Sequence, residues 1–111
     1  MDKSQVDVLV FEALQANAGA DFVRQLVEAF AIEAPDLIAQ MRSAISAGNQ
    51  TGLETLAHSL KSNAVAFGAT RLAQMAAGLE WTGLPAGASA VDDLADEAAA
   101  ALAQLRRLAQ T

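Results

Sequence analysis

The chain has 111 residues, a length at which one domain buries its own core without metal or disulfide staples. It has no cysteine and a single histidine, which excludes thiolate chemistry and leaves too few ligands for a zinc site. With Lys plus Arg at 7 against Asp plus Glu at 13, the net charge of −6 repels nucleic acid, and no basic cluster beyond Arg106-Arg107 offsets it.

The lack of cysteine fits a reducing cytoplasm. No uncharged apolar run is long enough to span a membrane, and the charged opening MDKSQVDVLVFEAL does not read as a signal peptide. A cytoplasmic protein with a protein partner, and without nucleic acid or membrane, is the expectation.

Alanine, leucine, glutamine and glutamate dominate, so the residues point to helices throughout. A short first helix is predicted over Ser4 to Gln15, with Ser4 as its N-cap and Asn17-Ala18-Gly19 after its end. Asp21 is predicted to cap a long second helix with apolar positions at Val23, Leu26, Val27, Phe30, Ala34, Leu37, Ile38, Met41 and Ile45. Their spacing keeps phase through Pro35, which favours one helix kinked at the proline over two. Gly48 is its expected C-cap.

Thr51 and Glu54 read as a capping box opening a third helix that ends at Gly68. Thr70 opens a fourth, with Leu72, Met75, Ala76 and Leu79 inward, fading near Thr82. Ser89 or Ala90 begins the last, with Val91, Leu94, Ala98, Leu102, Leu105 and Leu108 on one side. The predicted fold is all-α: a single-domain antiparallel four-helix bundle, residues 1–111, with a short additional N-terminal helix. Without an exposed heptad seam, a monomer is expected.

On a wheel of the third helix, Leu53, Leu56, Leu60, Ala64 and Phe67 centre near about 340°, whereas His58 falls at about 140°. The imidazole should therefore face solvent. Its surface neighbours are Glu54, Thr55, Lys61, Ser62 and Val65, with Ala66 nearby. Neutral imidazole is a nucleophile, and its ordinary pKa of about 6.5 leaves much of it neutral at cell pH. Lys61 could offset a phosphoryl charge on the ring, Ser62 leaves room for a partner, and Val65 with Ala66 supplies a small apolar apron. No acid–base constellation is evident around His58, and a convex helix lacks a hydrolase pocket. An exposed His-Lys pair is, taken alone, as readily an ordinary solvated surface.

The run AHSLKSNAVAFGATRLAQMAAGLE, Ala57 to Glu80, resembles the signature of the histidine-containing phosphotransfer (HPt) domain family. The matching residues are Ala57, His58, Leu60, Lys61, Gly68, Leu72, Leu79 and Glu80. The segment from Phe22 to Asn49 is similar to the helix that precedes that signature. Ser62 departs from the family's usual glycine, a change expected to tune transfer rather than abolish it.

The resemblance implies a phosphorelay intermediate. His58 would accept a phosphoryl group from an aspartate on the receiver domain of a hybrid sensor kinase and pass it to a response regulator. Lys61 would give electrostatic support, and Glu54, Thr55, Ser62, Val65 and Ala66 would face the partner. Gly68, Leu72, Leu79 and Glu80 would serve as structural motif residues. No cofactor is expected in this chain; Mg²⁺ would belong to the receiver. With no glycine-rich phosphate loop and no room for an ATP-binding domain, the expected role is phosphoryl carrier, not kinase. Two alternatives stand beside it: a phosphoacceptor domain fed directly by a histidine kinase, and a non-catalytic adaptor that only binds a receiver.

Among the remaining residues, Trp81 reads as a packing anchor at the bundle's edge. Met41 and Met75 read as core. Phe22 and Ile32, off the main apolar line of the long helix, are expected to pack under the first helix, with the receiver-docking surface as the alternative. Asp92, Asp93, Asp96 and Glu97 would favour the dipole of the last helix, not a metal.

Overall fold

The computed structural model describes residues 6–110. The described residues form five α-helices: α1 Val8–Ala18, α2 Ala20–Ala47, α3 Gln50–Phe67, α4 Thr70–Thr82 and α5 Gly87–Ala109. A single 3₁₀ turn, Leu84–Ala86, links α4 to α5. Helices α2 to α5 each pack on the next, and α5 closes back on α2, so short reversals generate an antiparallel four-helix bundle. Helix α1 lies across α2 and α3.

The core follows from the apolar stripes. Val23, Val27, Phe30 and Met41 of α2 meet Leu53, Leu60 and Phe67 of α3, Leu72 and Leu79 of α4, and Val91, Leu94 and Leu105 of α5. Phe30 and Phe67 stack with ring centroids 5.1 Å apart. Buried alanines, among them Ala34, Ala57, Ala64, Ala76 and Ala101, let the helices approach closely. Helix α2 runs unbroken through Pro35. The ring offers no N–H to the carbonyl four residues back, but the buried residues on either side, Ala34 and Ile38, keep their phase and hold the helix together.

Several helix starts differ from expectation. Ser4, the predicted first cap, lies outside the described residues; α1 is capped by Asp7, whose carboxylate accepts from the Leu9 amide at 3.0 Å. The end of α1 falls at Gly19, which also precedes α2 directly. Asp21 therefore sits inside the first turn of α2, paired with Arg24 at 2.8 Å, and caps nothing. At α3 the cap is Asn49, whose Oδ1 accepts from Gly52 at 2.9 Å. Thr51 lies within the helix, and Glu54 accepts from Gln50 instead of closing a capping box. Helix α5 starts at Gly87, ahead of Ser89.

Three large apolar side chains predicted to pack are exposed: Phe22, Ile32 and Trp81. Phe22 is one residue from the buried Val23, while Ile32 follows Phe30, and Trp81 follows Leu79, by two. Those offsets turn them about 100° and 200° away from the core line. Helix α1 is seated instead by Phe11, which is 1 % exposed, and by Val6. Met41 is fully buried; Met75 is half-buried against the core. Glu97 also departs from expectation. It is 8 % exposed, with one oxygen 3.4 Å from Arg71 Nε and the other without a partner, so it is a buried group and not a solvated helix-end charge. Asp92 reaches across to Arg42 of α2, and Arg106 of α5 grips Glu28 of α2 through two hydrogen bonds.

Candidate functional site

The buried side of α3, carrying Leu53, Ala57, Leu60 and Ala64, sets the rotation of that helix, and His58 consequently projects outward with 58 % of its side chain exposed. Next to it, α4 runs antiparallel. Leu72, Ala76 and Leu79 anchor α4 inward, which turns Glu80 toward α3. The Glu80 carboxylate then spans two α3 side chains. Its Oε2 lies 3.0 Å from His58 Nδ1, and its Oε1 lies 3.0 Å from Lys61 Nζ.

This arrangement orients the ring. A carboxylate accepts only, so Nδ1 carries the proton and donates to Glu80, leaving the Nε2 lone pair directed outward. The hydrogen bond from Lys61 is the main influence holding the Glu80 carboxyl below the usual carboxylate range. Desolvation opposes it, and the hydrogen bond to His58 adds to it. The site is thus a nucleophilic nitrogen whose ring is fixed by an anion, with an ammonium shared on that same anion.

Glu80 is the residue whose part the sequence concealed. Spacing places it twenty-two positions from His58, so no single-helix wheel joins the two, and the expectation of no evident acid–base constellation around His58 missed this carboxylate. The only sequence signal was its place in the Leu-Glu ending of the α3–α4 run.

The other residues singled out from sequence divide by burial. Leu72 and Leu79 are core, and Gly68 is a buried left-handed C-cap, φ 76°, of α3. Thr55, Ser62, Val65 and Ala66 line the exposed side of α3, with Val65 at 59 %. The Thr55 hydroxyl is engaged by the Thr51 carbonyl, and Glu54 is taken up by Gln50, so neither bonds to the imidazole. Beside Lys61, a shallow hollow of about 360 Å³ is bordered by Val10 of α1, Val65 of α3, and Ala73 and Ala77 of α4. Among the described residues, no three His, Cys, Asp or Glu side chains converge as a metal site. No described helix is long and apolar enough to cross a membrane.

The family model for the Hpt domain matches residues 25–110, which takes in α3, α4 and the whole His58–Lys61–Glu80 cluster. The chain belongs to the Hpt domain family. Comparison with curated proteins and with solved structures returned no significant match. Hpt domains are phosphocarriers in phosphorelays, interact with receiver domains and do not themselves bind ATP for catalysis. In this Hpt domain the imidazole stands exposed on the outer face of α3.

Proposed function

We propose that His58 is the covalent phosphoryl carrier of this Hpt domain. A receiver domain, as in a hybrid sensor kinase, presents an aspartyl phosphate to Nε2. The nitrogen lone pair attacks phosphorus, the N–P bond forms, and the acyl O–P bond breaks with its electron pair leaving on the aspartate carboxylate. The phosphorylated ring keeps its proton on Nδ1 and is cationic, so the Glu80 carboxylate 3.0 Å away stabilises the product. Lys61 holds that carboxylate in place and sets a positive charge on the side the phosphoryl oxygens approach. Attack by the aspartate of a second receiver, that of a response regulator, reverses each bond change and returns neutral His58.

Mg²⁺ is assigned to the receiver's acidic pocket; this chain contributes the oriented nucleophile and the lysine. Glu54, Thr55, Ser62, Val65 and Ala66, all on α3, form its share of the partner surface, with Ser62 small enough to leave Nε2 approachable. The observation that carries the reading is the bridging of His58 Nδ1 and Lys61 Nζ by one carboxylate, because it leaves a single reactive nitrogen facing solvent.

The test is transfer from a radiolabelled phospho-receiver to the parent chain and to His58→Gln. An acid-labile label on the parent alone, chased onto a second receiver, is expected. A label that persists on the variant would overturn the assignment.

A further inference from the structure

Trp81 is the sole tryptophan of the chain and is 91 % exposed, although it follows directly on Glu80, the residue that holds the reactive imidazole. A bulky aromatic left in water beside a working nucleophile contributes nothing to the core. Its surroundings give it a purpose. Ala77, one turn back on α4, borders the hollow that also touches Lys61 and Val65. Val65, itself 59 % exposed, and Val10 extend the strip toward α1. Apolar side chains therefore border the cluster on its Lys61 side, and Trp81 stands one turn of α4 beyond Ala77.

Any protein that brings an aspartyl phosphate to Nε2 must cover this ground. A specific interface hides on the order of 800 Å² per partner, a disc of roughly 16 Å radius. Trp81 falls inside it, since its neighbour's carboxylate is 3.0 Å from the imidazole. This chain carries −6, so its net charge offers no long-range attraction to the acidic pocket of a receiver. Apolar contact close to the reacting atoms is the source of affinity this surface offers, and aromatic anchors dominate such binding.

We propose that Trp81 is the docking anchor for the receiver domain, fitting an apolar patch beside the receiver's phosphorylation pocket. The inference rests on His58 being the carrier. Trp81→Ala should weaken receiver binding by about thirtyfold. It should raise KM for the phospho-receiver while kcat stays near the parent's, because the side chain does not touch the reacting atoms. Trp81→Phe should recover part of the loss. The exposed position means that helix content is unaffected, which circular dichroism checks.

The direct readout is Trp81 fluorescence titrated with a receiver that lacks tryptophan, run in parallel with label transfer to His58. A blue shift that saturates together with transfer, and the KM rise in Trp81→Ala, would support the anchor. Transfer without any shift, and with parental KM in Trp81→Ala, would overturn the anchor and leave the carrier assignment standing. A saturating shift, with receiver binding by calorimetry that Trp81→Ala weakens but no label on His58, would keep the anchor and overturn the carrier. Neither shift nor label from a broad receiver panel would overturn both.

Discussion

Gly48 and Gly68 offer a matched pair for testing how α1 is held. Both end helices in the left-handed region, with φ of 66° and 76°, so alanine at either position costs about 1–2 kcal/mol in backbone strain. Their surroundings differ. A Cβ added at Gly48 meets nothing within 4 Å, whereas one at Gly68 would sit 2.8 Å from the Asp7 carbonyl oxygen and 2.9 Å from Val10 Cβ. Neither of those atoms can swing aside as the end of a long side chain would. The Asp7 amide also donates to the Gly68 carbonyl at 2.7 Å, so the clash falls on the bond that seats α1. Overpacking of this kind adds about 1–3 kcal/mol, giving about 2–5 kcal/mol for Gly68→Ala against about 1–2 for Gly48→Ala. Full release of α1 would forfeit the burial of Phe11 and Val6, about 1.5–3 kcal/mol each, which is a ceiling of similar size. Urea unfolding of both variants beside the parent measures the difference, and hydrogen exchange at the Phe11 amide reports whether α1 has loosened. Equal destabilisation by the two substitutions, with α1 protection unchanged, would refute the account.

Three further outcomes are expected. Glu80→Ala should slow phosphoryl transfer to His58 about ten- to hundredfold, the equivalent of the about 1.5–3 kcal/mol of a hydrogen bond to a charged group, with Glu80→Gln in between; parental rates in both would remove Glu80 from the site. Glu80 titrates below the usual value of 4.5 chiefly through Lys61, so its contribution to stability is present above that value and is lost as pH falls through the lowered pKa. In Lys61→Met the loss should begin at higher pH, which an NMR titration of the Glu80 carboxyl carbon would reveal. Glu97 has the opposite sign: burial raises its pKa, so its favourable contribution is complete below 4.5 and disappears as pH rises through the raised value. Glu97→Gln should accordingly stabilise the fold by about 1 kcal/mol at neutral pH, with the gain fading on acidification, as read from urea midpoints across that range.

Much of this architecture was legible from residue order. The stripes Val23-Val27-Phe30-Ala34 and Leu53-Leu60-Ala64-Phe67 have one workable rotation each, and that rotation already sends His58 to the surface. Helix ends were less legible because several residues near each junction can cap. Asp7 caps α1 where its amide meets the distant Gly68 carbonyl, and Asn49 rather than Thr51 caps α3 directly after the turn at Gly48. Trp81, Phe22 and Ile32 are exposed although size and apolarity suggest burial, because the helical offset from the core line decides it.

By itself, the sequence determined the helical class, the bundle's inward faces, the solvent-facing histidine and the lysine one turn beyond it, because all of these depend on periodicity within a single segment. Tertiary structure decided the rest. Only the antiparallel packing of α4 on α3 brings the Glu80 carboxylate to both His58 and Lys61, selecting which ring nitrogen is free, and only the packing of α5 against α4 buries Glu97 beside Arg71. These contacts join residues distant in the chain, and their geometry is set by how whole helices pack, a quantity that no window of sequence contains.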